Sequence, residues 1–422
     1  MSNTRSVYTV IIVAALGYFV DIYDIIVFSI VRLPSLQAIG ITDPKDLERI
    51  GLFLLNMQMG GMLIGGIVWG ILGDKKGRLS VLFGSIMMYS IANILNGMVA
   101  DFPAYHLEMY AVMRFISGVG LAGELGAGIT LVAEMMSKEK RGYGTMIVVS
   151  MGAMGAVAAG LVYQYFQDWK LSYFVGGVLG LVLLLLRIGV SESGMFQQIK
   201  EMQNISRGNF LMLFTNYNRF LTYLKCILNG LPVWYVVGIL TTLSSEFARA
   251  FGLIPVTAKV DQARVVMYTY IGLTIGDVLS GTLSQILRSR KKTVVVFILF
   301  SLISSITFLT IPKNMQVFYW FYLVLGIGTG YWVVFVTIAS EQFGTNLRAT
   351  VTTTTPNFVR GSVIILTTLF QILKPLGTIT SAIITALFSA GLALWALYGL
   401  QETFGKDLNY NEIDTPKNKK IV

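Results

Sequence analysis

Charge is scarce in this chain. Only 13% of its 422 residues are Asp, Glu, Lys or Arg, against roughly 25% in a soluble domain. Too few polar side chains remain to coat a water-soluble body around the 55% that are apolar. Cysteine and histidine are reduced to Cys226 and His106. One cysteine excludes an internal disulfide, and one histidine argues against a histidine-based metal centre. No ATP-binding loop is present; "GIGTG" at 326–330 lacks the G-x-G-x-x-G form and lies in an apolar run. No metal or cofactor is expected. Acids are outnumbered by bases, 22 to 32. Basic loops facing anionic lipid account for that excess, so it calls for no nucleic-acid partner.

What is present is a series of long apolar runs. The first, about Tyr8 to Val31, is too long for a signal-peptide core and carries Asp21 and Asp24. A helix needs about 20 mostly apolar residues to cross a bilayer. Twelve stretches qualify: 8–31, 51–73, 80–100, 105–133, 144–164, 172–190, 221–243, 264–287, 293–311, 317–339, 350–373 and 376–400. The fold class expected is an all-α membrane protein with twelve spans in two six-helix sets. A polar interruption divides the chain into 1–190, a linker at 191–220, 221–402 and a tail at 403–422. With both termini in the cytoplasm, Lys and Arg fall about twice as often on the inner side as on the outer. Short tails and compact loops point to a bacterial inner membrane, and a monomer is expected.

The halves echo each other, as internal repeats do in transporters with a site between them. The fourth span ends "VAEMMSKEKRGYGT" and the tenth "ASEQFGTNLRATVT"; Glu134 precedes Arg141, and Glu341 precedes Arg348, by seven residues. "GILGDKKGRLS" at 70–80 aligns with the stretch around Leu287–Lys291, where Ser289 replaces Asp74. In this alignment Ala153 is the counterpart of Arg360, and Glu124 of Tyr331. A stop-transfer cluster would account for Lys75 and Lys76. It would not account for Asp74 or for Gly70 and Gly77, whose missing side chains let neighbouring helices approach. A conformational latch explains all of them.

These motifs resemble the major facilitator superfamily. Gly70, Asp74, Lys75, Gly77 and Arg78 match its loop between the second and third helices, with Leu79 in place of the last basic residue. "RFISGVGLAGELGA" is similar to the fourth helix of its metabolite:proton symporters at Arg114, Gly118, Gly123, Glu124 and Ala127, with Ala122 for one glycine. "QETFGKDL" resembles the closing motif of sugar and organic-ion porters without its proline. The resemblance implies proton symport by alternating access. It also implies that Asp74 and Arg78 join Glu134 and Arg141 in one charge network.

Ionisable residues inside spans are the functional candidates, since a charge facing lipid costs about 2.5–3.5 kcal/mol on insertion scales. Asp21 and Asp24, three apart, are expected on one helix face, where they could not both ionise easily. Arg114 reaches the depth of Asp24 and could pair with it; Glu124 lies deeper. These four are the proton-coupling candidates, against a purely structural ion pair. Arg360, near the middle of the eleventh span, suits a substrate carboxylate or a structural bridge to Asp277. Lys225 is close enough to its span's end to snorkel. Asn56, Asn229, Tyr331 and Trp332 complete the expected site, while Trp234 reads as packing.

The expected function is therefore proton-coupled symport of a small carboxylate-bearing or zwitterionic metabolite, with the substrate, protons and lipid as the only partners. The alternative is a proton-antiport exporter of cationic amphiphiles. An enzyme is not expected: Tyr23–Asp24 and Gly276–Asp277 only distantly resemble intramembrane aspartyl proteases, and such a protease explains no twelve-span chain.

Overall fold

The computed structural model describes residues 4–76, 78–136, 141–186, 210–255, 258–311, 314–406 and 410. Side chains at 4–10, 74, 78–80, 127, 130, 131, 133–135, 141 and 349 lie outside that description. Among these residues the regular structure is entirely helical. Among the described residues nine helices are long and apolar enough to cross a membrane. The remaining expected positions are filled by Arg78–Gly97, by His106–Leu121 with Glu124–Met135, and by Gln262–Ile286. Helices overrun the expected apolar cores: the first runs Thr4–Ala38 and the second Pro44–Lys76. Backbone hydrogen bonding continues past the hydrocarbon, where polar side chains tolerate it.

Four spans are broken, which apolarity alone did not indicate. The fourth breaks at Ala122–Gly123 and the tenth at Gly330–Tyr331, matching positions in the two halves. The seventh breaks at Asn229–Gly230 and continues as a π-helical turn over Val236–Thr241. The eleventh breaks at Ser362, six residues after Pro356. A break frees backbone groups that lipid cannot satisfy, so each needs a protein partner. Asn357 Nδ2 donates to Ala122 O at 2.8 Å, from the other half. Ser280 Oγ donates to Gly330 O at 2.6 Å, and Asp277 Oδ1 accepts from Val333 N at 3.1 Å.

Within the first half, the first span packs on the fifth, the second on the fourth and the third on the sixth. In the second, the eighth packs on the tenth, and the twelfth on the seventh and ninth. The halves meet where the second span lies on the eleventh and the fifth on the eighth. Small residues set these distances. A side chain on Gly70 would meet Thr350 Cα at 3.3 Å, and one on Gly66 would meet Asn357 Cβ at 2.9 Å. A side chain at Gly70 would therefore press on the backbone of the eleventh span. Replacing Gly70 with Ala is expected to be mild, because a few tenths of an ångström relieve it. Gly70→Leu should force the second and eleventh spans apart and cost about 1–3 kcal/mol, read as a lowered thermal-melting midpoint of the purified protein.

Candidate functional site

At the centre of the seam a small cavity of ≈ 20 Å³ is lined by Tyr18, Trp234, Tyr270, Trp332 and Arg360, with apolar walls that include Val149 and Ala153. It has room for about one water. Ala153 and Arg360, repeat counterparts, face the same space from opposite halves.

Arg360 is fully buried. Its Nη1 donates to Asn357 Oδ1 at 3.1 Å and its Nη2 to Tyr18 Oη at 3.3 Å. Trp332 Nε1 also donates to Tyr18 Oη, at 3.1 Å. The rings of Trp234 and Trp332 flank the guanidinium at 6.0 and 5.9 Å, within range of a cation–π attraction. The expected bridge to Asp277 is not the pair that forms. Arg360 faces Asp21, with Nη2 to Oδ2 at 4.0 Å, while Asp277 is turned to the backbone of the broken tenth span. A helix start with unsatisfied N–H groups claims that carboxylate.

Asp21 and Asp24 do not work as one carboxylate pair. Asp21 faces the seam and Arg360; Asp24 lies against Gly176 of the sixth span, near Asn93 and the charge of Arg114. Three residues along a helix turn the side chain by about 60°, enough here to reach different neighbours. Nor does Arg114 contact Asp24 directly. It donates to Gln58 Oε1 and stacks over Phe28, 4.2 Å from the ring centroid. Glu124, buried, begins the second piece of the fourth span.

The remaining candidates divide. Tyr331 Oη donates to Asn229 O at 3.0 Å, tying the tenth-span break to the seventh. The carboxamide of Asn229 is fully buried and makes no hydrogen bond among the described residues. Buried amides are ordinarily satisfied, and Asn229 is not among the residues lining the cavity. Asn56 bonds Thr367 of the other half at 3.3 Å, away from the cavity lining. Lys225 does reach its span's end, donating to Gly399 O at 3.3 Å. Tyr18, Trp234, Tyr270 and Asn357 went unrecognised in the sequence; aromatic residues at helical spacing carry no signal that separates a lined cavity from a packed core.

The seam is also tied at both faces. On the face away from the termini, Arg32 pairs with Glu246 at 2.9 Å, both buried, and donates to Thr242 O at 3.1 Å. Lys374 pairs with Glu48, joined by Gln371 at 2.8 Å. On the terminal face Gly70 abuts Thr350 and Gly126 abuts Thr353.

Of the latch candidates, Gly77 and the side chains of Asp74, Arg78, Glu134 and Arg141 lie outside the described residues, and Lys75 is exposed. In the second half, Glu341 sits 3.5 Å from Arg290 Nε, and Arg348 Nη2 donates to Thr345 Oγ1 at 3.4 Å. The acid missing at Ser289 is supplied from elsewhere. Glu402, in the closing motif, accepts from Ser289 Oγ and from the backbone N–H groups of Arg290 and Lys291 at 2.9 and 3.3 Å. Burial raises the Glu402 pKa, but these and further backbone bonds outweigh it and hold the carboxyl below its ordinary value. A depressed folded-state pKa adds stability above the unfolded value, lost as pH falls through the folded one. Glu402→Gln should therefore melt below wild type at pH 7, and the gap should close on acidification below about pH 4, followed in thermal melts across pH.

A family model of the Major Facilitator Superfamily matches residues 14–368. A Bacillus subtilis protein named for niacin/nicotinamide transport, NiaP, is 24% identical over 82% of this chain and 84% of its own length. The sialic acid transporter NanX of Escherichia coli is 27% identical over 62% of this chain and 64% of its own. The proton:xylose symporter XylE superposes with a TM-score of 0.73 at 16% identity, covering 96% of this chain and 98% of that one.

Proposed function

The chain belongs to the Major Facilitator Superfamily, and on that premise we propose that it is a proton-coupled symporter of a small carboxylate-bearing metabolite. It is an integral multi-pass membrane protein and a transporter rather than an enzyme. One observation carries the substrate reading: a buried guanidinium in the cavity at the seam, with the rings of Trp234 and Trp332 6.0 and 5.9 Å away. A guanidinium takes a carboxylate on two parallel N–H groups, and the rings suit a flat ring carrying it. NanX, named for sialic acid, supports the same class, and NiaP, named for niacin and nicotinamide, includes one acid and its amide. Asp21, Asp24 and Glu124 are the buried carboxylates able to carry the proton, with Arg114 setting the charge around Asp24.

Transport follows by rocking the two halves about the cavity. Tied at both faces, the seam must open one face at a time, with the Arg32–Glu246 and Lys374–Glu48 pairs parting on the far face. We place that face outside a bacterial inner membrane, with 1–190 and 221–402 as the moving units of a monomer. An exporter of cations would have to load its cargo against Arg360, which disfavours that reading.

The test is uptake of labelled nicotinate, benzoate and sialic acid into proteoliposomes under an imposed pH gradient. Uptake of at least one acid is expected. Arg360→Lys, which keeps the charge and loses the fork, should weaken its apparent affinity about tenfold or more. Extrusion of cationic dyes with no acid taken up overturns the proposal.

A further inference from the structure

We propose that Asp21 is a built-in stand-in for the substrate: the incoming carboxylate takes its place on Arg360, and the displaced Asp21 accepts one proton. The inference rests on the carboxylate reading above and extends it to the coupling step and its stoichiometry.

Three features of the pair carry it. The first is that the contact is loose: Nη2 to Oδ2 is 4.0 Å, the outer limit of an ion pair, whereas Nη1 and Nη2 hold Asn357 and Tyr18 at 3.1 and 3.3 Å. The second is that Arg360 is under-used. Its Nε is buried and makes no hydrogen bond among the described residues. Nε–H and one N–H of Nη2 point the same way along one edge of the planar fork. That edge fits both oxygens of a carboxylate, and Asp21 occupies it only distantly. The third is position. Asp21 is on the first span and Arg360 on the eleventh, so the pair bridges the seam that must open.

Charge conservation then fixes the exchange. With Asp21 ionised, the site holds one positive and one negative charge. A bound monocarboxylate restores that balance only if Asp21 becomes neutral, because two carboxylates on one guanidinium in a site without bulk water leave an uncompensated buried charge. The substrate anion enters with one proton, which bonds to an Asp21 oxygen; no other bond is made or broken. The carrier crosses loaded with substrate and proton together, moving no net charge.

The surrounding groups leave Asp21 as the group that changes. On its own helix lie Tyr18 and, one turn on, Asp24, which is turned toward Asn93 and Arg114. The eleventh span brings Arg360, and the eighth brings Tyr270 and Asp277, the latter bonded to Val333 N. The fourth brings Glu124. To the cavity the fifth span contributes Val149 and Ala153, and the seventh Val233, Trp234 and Val237.

The experiment uses the purified full chain, with nicotinate and benzoate as probes and nicotinamide and benzamide as uncharged counterparts. In weak buffer at pH 7, wild type should take up one proton per acid bound and none per amide. Asp21→Asn removes the internal competitor, so it should bind the acids about tenfold tighter at pH 8, without proton uptake. In proteoliposomes the same variant should no longer accumulate acid against a gradient when the interior is alkaline. Wild-type uptake should not respond to a potassium diffusion potential; this measurement needs no variant and decides the matter even if Asp21→Asn fails to fold. Proton uptake persisting in Asp21→Asn, or wild-type uptake driven by potential, overturns the inference and leaves the carboxylate reading standing. If wild type binds neither acid, the carboxylate reading falls and the inference with it.

Discussion

A guanidinium buried at the seam of two helix sets has no water to neutralise it, and its partners must come from the protein. Arg360 is met by Asp21 and Tyr18 from one half and by Asn357 from its own. Every requirement of the central cavity follows from that. Two tryptophan rings lie about 6 Å from it, and a guanidinium, less strongly hydrated than an ammonium, tolerates such neighbours. The carboxylate facing it is that of Asp21. A charge that would cost about 2.5–3.5 kcal/mol against lipid is stable here only while something anionic shares the site.

The broken spans belong to the same constraint. A continuous helix satisfies its own backbone and presents only side chains; a broken one presents carbonyl and N–H groups that must be met across helices. The fourth span's freed carbonyl at Ala122 is met by Asn357, the residue that also holds Arg360. One eleventh-span amide therefore joins the fourth-span break to Arg360. Movement of the fourth span against the eleventh cannot leave Arg360 undisturbed. On the terminal face, the glycine-lined approach of the second and eleventh spans allows the close packing that makes this contact possible.

Much of this was legible in the chain. Apolar run lengths indicated the all-helical membrane fold. The repeat placed Ala153 opposite Arg360, and both line the cavity. Charge rarity singled out Arg360 and Asp21 because a buried ion demands a function or a partner. What the residues could not give was which partner. Asp277 was as deep as Asp21 and on a plausible span, but a helix break, invisible to hydropathy, claimed its oxygen for Val333 N. The aromatic lining was hidden for a related reason: Trp234 and Tyr18 look identical in sequence whether they pack a core or wall a cavity. The Glu402 cap on the ninth span was hidden by distance, since Ser289 marked the loss of an acid without indicating where its replacement came from.

The far-face pairs and the central pair have opposite designs, and the contrast explains how one charge can move while others hold. Arg32 and Glu246 lie at 2.9 Å with a second acceptor at Thr242 O, so removing either would leave its partner buried and unmatched. Arg360 and Asp21 lie at the limit of contact, with an unused donor beside them. A tight pair resists exchange; a loose pair with a spare donor invites a third party. The seam is thus closed by strong interactions at its far rim and held ready by a weak one at its centre. Because Asp21 is on the first span and Arg360 on the eleventh, whatever improves the central contact acts across the boundary between the two halves.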